Sequence, residues 1–151
     1  MTIADQWLAR FESALRARDR SVLQDLFTAD SHWRDVLALT WRIQTVSGAE
    51  SIATQIQSHA RPTNLRTDPE RTPPRQVTRA GTKCLEILFR FETSIGEGNG
   101  VLRLVGDEPK AWTFLTVLHE LKGHEEHIGR LRPPGSAYSR DFSGPNWLDL
   151  R

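Results

Sequence analysis

His32-Trp33-Arg34-Asp35-Val36-Leu37-Ala38-Leu39-Thr40-Trp41 is the stretch on which the reading of this chain turns. Its aromatic and β-branched content marks a strand. Strand alternation then sets Trp33 and Asp35 on one face, so that a carboxylate shares its side of the sheet with a large aromatic wall. Indole walls desolvate a carboxylate and raise its pKa, which is how a general base is built. The competing reading is structural: Asp35 pairs with Arg34 or Arg42, or accepts backbone hydrogen bonds, and serves fold geometry.

Upstream, Ile3, Trp7, Phe11 and Leu15 recur at helical spacing and predict an amphipathic helix. Ser21 and Gln24 match a capping box opening a short second helix through Leu26-Phe27. Downstream, strands are expected at 32 to 37 and 40 to 46. A further capping box, Ser47 with Glu50, opens a helix with Ile52 and Ile56 on its apolar face, stopped by Pro62. The proline- and arginine-rich segment 62 to 75 reads as an exposed loop or edge. Beyond it the pattern is β throughout. Leu85, Ile87, Phe89 and Phe91 alternate with Glu86, Arg90 and Glu92, the run Gly96-Glu97-Gly98-Asn99-Gly100 reads as a turn, and further strands follow at 101 to 105 and 111 to 121.

Helices in front and a meander of strands behind predict an α+β fold, a cone-like curved antiparallel sheet wrapped over the N-terminal helices with a cavity at its open end. Residues 1 to 122 form that domain, and 123 to 151 an extended tail packing on it, pinned by Trp147. Trp33, Trp41 and Trp112 fall where they would line an apolar pocket for a small organic ligand.

With 20 Lys+Arg against 19 Asp+Glu, the chain lacks the clustered basic excess that nucleic acid requires. Its start has no basic region leading into an apolar stretch, and no run approaches the roughly 18 apolar residues that cross a bilayer, so a cytoplasmic location is expected. The lone Cys84, inside an apolar run, reads as a buried packing residue. His119, His124 and His127 miss the spacing of a helical zinc motif, and no metal is expected.

Trp33-Arg34-Asp35, the element order, Ala111-Trp112-Thr113-Phe114-Leu115-Thr116, Glu120-Leu121-Lys122-Gly123-His124-Glu125-Glu126 and Asn146-Trp147 carry a resemblance. The chain resembles the nuclear transport factor 2-like superfamily, which includes SnoaL-like cyclases and ketosteroid isomerases. Within it, the chain is most similar to the N-terminal domain preceding the flavin-binding region of bacterial and fungal flavin-containing monooxygenases. No G-x-G-x-x-G fingerprint opens a helix here, so no flavin or other cofactor is expected, and a separate flavoprotein becomes a candidate partner. The resemblance implies a homodimer and an accessory or small-molecule-binding role. The alternative it implies is a cofactor-free isomerase, cyclase or dehydratase with Asp35 as base and His119 as its acid or base partner. Tyr138, the only tyrosine, falls in the tail, so a steroid isomerase's tyrosine donor is not visible. Arg90 and Glu92 read as a surface ion pair.

Overall fold

The computed structural model describes residues 1–59, 61–132, 144–145 and 148–149. The first helix, α1 (Ile3–Ala17), opens on a capping box in which the Thr2 hydroxyl accepts from the Asp5 amide and the Asp5 carboxylate accepts from the Thr2 amide. Its buried stripe contains Trp7, Leu8, Phe11 and Leu15. The second, α2 (Arg20–Asp25), is capped by Asp19 and not by Ser21: the Asp19 carboxylate accepts from the Val22 amide at 3.0 Å. The third, α3 (Ala49–Gln57), also departs from expectation. Its cap is Gly48 at φ 89°, a backbone state open to glycine, while Ser47 still belongs to the preceding strand and its hydroxyl meets His32 Nδ1 at 2.7 Å.

Among the described residues seven strands form a single sheet: β1 (Phe27–Val36), β2 (Ile43–Ser47), β3 (Thr63–Thr67), β4 (Arg75–Arg79), β5 (Thr82–Glu92), β6 (Gly96–Val105) and β7 (Lys110–Leu121). The order is β2-β1-β7-β6-β5-β3, with β4 also on β5. The α+β architecture expected from the sequence is present, but the sheet is mixed. The chain leaves β1 for the edge strand β2, returns through α3 and the meander, and lays β7 parallel to β1. That one parallel pairing sets Trp33 opposite Phe114 and Asp35 opposite Thr116. Within the proline- and arginine-rich segment, β3 is an edge strand on β5. Cys84 is buried, and burial pushes its thiol pKa up.

Gly96 to Gly100 is not a turn. Those residues are the first half of β6, and the chain reverses just before them, where the Thr93 amide donates to Gly96 O at 2.9 Å. The glycines are there because Phe91 and Phe89 lie across them: a Cβ at Gly98 would sit 2.1 Å from the Phe91 ring, and one at Gly100 would sit 2.2 Å from the Phe89 ring. Phe89 stacks on Phe114 at 5.4 Å, and Phe114 meets Trp7, Phe11 and Phe27 at 5.7, 5.1 and 6.1 Å. Aromatic rings therefore fill the space between α1 and the sheet where the sequence suggested a hollow. The tail's Trp147, Tyr138 and Pro133-Pro134-Gly135 lie outside the described residues.

Alanine at Gly98 or Gly100 is expected to cost about 1–3 kcal/mol by overpacking the ring beside it. Chemical denaturation reads that loss, and a stability unchanged in both variants would contradict this account of the glycines.

Candidate functional site

Asp35 is fully buried, and its carboxylate is saturated with donors. The Thr116 hydroxyl donates to Oδ1 at 2.6 Å; the Thr40 amide and hydroxyl donate to Oδ2 at 2.8 and 2.7 Å. The Leu39 amide is shared between the two oxygens at 3.2 and 3.1 Å. Trp33 Nε1 donates to Thr116 Oγ1 at 3.0 Å, so the indole beside the acid is wired to it through a hydroxyl. A buried carboxylate is tolerable when its acceptor sites are met by fixed dipoles, and here they are met by the loop that follows β1 and by β7. No arginine or histidine among the described residues hydrogen-bonds it. The backbone hydrogen bonds that the structural reading expects are present: the acid accepts from the loop that follows it.

That loop, 37 to 42, is unusual. Leu37 and Trp41 have φ of 61° and 59°, left-handed values that non-glycine residues avoid. Between them Ala38 and Leu39 turn into the core. The Leu37 amide donates to Arg42 O at 3.0 Å and closes the loop. No sequence motif announces this, although an Asp followed four and five residues later by Leu-Thr is the spacing at which a side chain can accept successive amides.

The residues expected to share a pocket do not. Trp33 is buried in the core, Trp41 is 53% exposed on the loop, and Trp112 is the extra residue of a bulge in β7, half-buried. None of the three lines any cavity described below. His119 is also a bulge residue, placed between the pairs Gly98–Leu118 and Glu97–Glu120, and it is exposed. Its strand turns Phe114 and Thr116 inward toward Trp33 and Asp35, whereas Leu115 and Val117 lie on the outer face. His119 and Asp35 are therefore not brought together.

His119 instead lines a polar cleft of about 310 Å³ with Arg66, Asp68, Arg90 and Glu97. Arg90 does not pair with Glu92: it donates to Asp68 at 2.9 Å and to Glu70 at 2.6 Å, while Arg66 approaches Glu92 at 3.7 Å. Burial works to raise the Asp68 carboxyl, but Arg90, the Glu70 amide and Arg71 outweigh it and hold the group below its ordinary value. At the other end of the same outer face, Glu86 gathers Arg79 at 2.8 Å, Arg103 at 2.9 Å and Arg75 at 3.7 Å. The Arg79 bonds, with help from Arg103 and against burial, bring Glu86 down to about 2. A carboxylate in the middle of an apolar strand, with arginines across on β4, was the signal for this cluster. On the helix side, a groove of about 340 Å³ lies between Ile3, Trp7, Leu26 and Pro109, and there the Trp7 indole already donates to Leu26 O at 3.2 Å.

Among solved structures, a domain of unknown function with a cystatin-like fold from Nostoc punctiforme is 13% identical, with a TM-score of 0.52 over 79% of this chain and 80% of that one. A putative SnoaL-like polyketide cyclase from Shewanella denitrificans is 12% identical, with a TM-score of 0.46 over 79% of this chain and 92% of that one. A steroid delta-isomerase from Pseudomonas aeruginosa is 18% identical, with a TM-score of 0.43 over 77% and 79%. No family model matches the sequence, and neither does any curated protein. The Nostoc likeness shows the fold, an α+β arrangement of the cystatin-like kind, and carries no residue roles with it.

Two outcomes test the network. Asp35→Asn turns one acceptor into a donor facing donors and is expected to cost about 2–4 kcal/mol, read by denaturation. A variant as stable as the parent would show that the acid does not hold the loop. Glu86 lies at about 2 in the folded chain against an ordinary 4.5, so its stabilisation is complete above 4.5 and lost as pH falls through 2. Unfolding free energy measured from neutral to acid pH should fall less steeply in Glu86→Gln than in the parent, and equal slopes would count against the cluster.

Proposed function

We propose that this chain is a non-catalytic accessory module of nuclear transport factor 2-like fold that works through its surface and not through a central cavity. The observation carrying this reading is the state of Asp35, the one acid on the inner face beside an indole: its lone pairs are occupied by fixed donors, and the space around it is packed. A general base needs an open lone pair within reach of a substrate proton. Asp35 has no such opening, and His119, its expected partner, is a bulge residue away from it. The cofactor-free enzyme is therefore the weaker reading. In the accessory role the domain assembles with other chains, the flavoprotein suggested by the resemblance among them.

One place for a small molecule is the groove between Ile3, Trp7, Leu26 and Pro109. The test is a panel of apolar organic ligands, steroids and aromatic acids among them, followed by melting temperature and by amide resonances. The accessory reading expects no ligand to raise the melting temperature through mass action. A ligand that raises it and moves the resonances of Trp7 and Leu26, or of Trp33 and Phe114, would overturn that reading in favour of a ligand-holding domain.

A further inference from the structure

The two edges of the sheet are built differently. At one edge β3 and β4 lie along successive parts of β5. Pro62 precedes β3, a register shift between Thr63 and Arg66 breaks its ladder, and Asn64 sits at φ 54°. Pro73 and Pro74 lead into β4, which begins on Arg75 and ends on Arg79. Prolines, bulges and charges are the means by which an open edge is kept from pairing with another chain. The opposite edge is β2, Ile43-Gln44-Thr45-Val46-Ser47, which has no proline, no charge and no register shift against β1. All three strands are five residues long, so length does not set them apart.

The ladder fixes how β2 presents its backbone. The Leu37 amide donates to Arg42 O at one end of the hairpin, and the Gly48 amide donates to Ser31 O at the other. Hydrogen-bonded pairs alternate along an antiparallel ladder. Gln44 and Val46 therefore bond to β1, whereas the amides and carbonyls of Ile43, Thr45 and Ser47 point away from it. No strand among the described residues lies beside them. Outward amides and carbonyls at every second residue are the complement of another extended backbone.

The side chains say what that backbone should carry. Ile43 is 62% exposed, and Thr45 and Ser47 are exposed on the same side of the strand. The loop before β2 adds Leu37 and Trp41, held exposed in left-handed conformations while Asp35 grips the amides between them. From β1, the Arg34 guanidinium reaches across to the Thr45 hydroxyl at 3.2 Å. Arg34 and Arg42 are both exposed, and neither has an ion-pair partner among the described residues. A strand laid on this edge meets an apolar surface at Ile43 and, beside Thr45, an unanswered cation. A second copy of β2 has no carboxylate to offer it.

We infer that β2 receives an extended segment of a partner protein as an added edge strand, with an apolar residue beside Ile43 and a carboxylate beside Thr45, within reach of Arg34. Main-chain pairing supplies the affinity, and Arg34 selects the partner. This names the kind of contact by which the accessory module assembles, and it rests on that reading.

Amide hydrogen exchange on the full chain tests the inference. The probe is a capped peptide about six residues long, threonine alternating with valine, with one valine replaced by aspartate. In the chain alone, the amides of Ile43, Thr45 and Ser47 are expected to exchange faster than those of Gln44 and Val46. The peptide should slow Ile43, Thr45 and Ser47 by about tenfold or more. Thr45→Pro removes an outward amide without touching a bond to β1 and should abolish that protection. Arg34→Glu should weaken binding of the aspartate peptide about tenfold or more and shift the preference to a peptide with arginine in its place. Arg34→Glu keeps the test decisive should Thr45→Pro not fold. Outward amides already slow in the chain alone, no protection at the highest soluble peptide concentration, or equal binding of the aspartate and arginine peptides overturns the inference. None of these results moves the accessory reading, which answers to the melting-temperature panel.

Discussion

One buried carboxylate ties together pieces of chain that are far apart in sequence. Asp35 accepts from Thr116, 81 residues away, and from the amides and hydroxyl of the loop immediately after it. Remove the acid and the parallel seam between β1 and β7 loses a polar cross-link, while the loop loses what holds two left-handed residues in place. A charge in a packed interior is costly in itself, so its survival requires every donor around it to be fixed. The Trp33 indole adds to that fixing by occupying the free side of the Thr116 hydroxyl.

The filled interior has a similarly local cause. Glycine at 98 and 100 leaves a flat strip on β6, and Phe91 and Phe89 lie down on it. Phe91 meets Phe89, and the Phe89 ring reaches Phe114 and, through it, the aromatic face of α1. The outer face, by contrast, carries charged clusters around Asp68 and around Glu86.

Elements with strong periodicity were legible from residues alone. The i, i+4 stripe of α1 and the alternation of Leu85, Ile87, Phe89 and Phe91 could only be a half-buried helix and a half-buried strand, because burial on one side imposes a period of 3.6 or of 2. Asp35 and Trp33 sharing a face followed from the same rule, as did the alternative that the acid serves the backbone. What misled were residues whose meaning depends on something distant. The glycines of β6 carry the signature of a turn until the rings opposite them are known. Ser21 and Ser47 look like caps until Asp19 and Gly48 are seen to take those positions. Trp41 passes for a pocket wall until the loop turns it outward.

By itself, then, the sequence determined that α1 and α3 are helices and that the segments around Trp33, Phe89 and Phe114 are strands, that helices precede most of the sheet, and that an acid and an indole share one face of a strand, since each of these rests on neighbours within a few residues. Only the tertiary structure decided that β7 runs parallel to β1, that rings pack between α1 and the sheet, and that Asp35 accepts from Leu39, Thr40 and Thr116. Those outcomes depend on which strand lies beside which, and pairing between residues some 80 apart leaves no trace in local pattern.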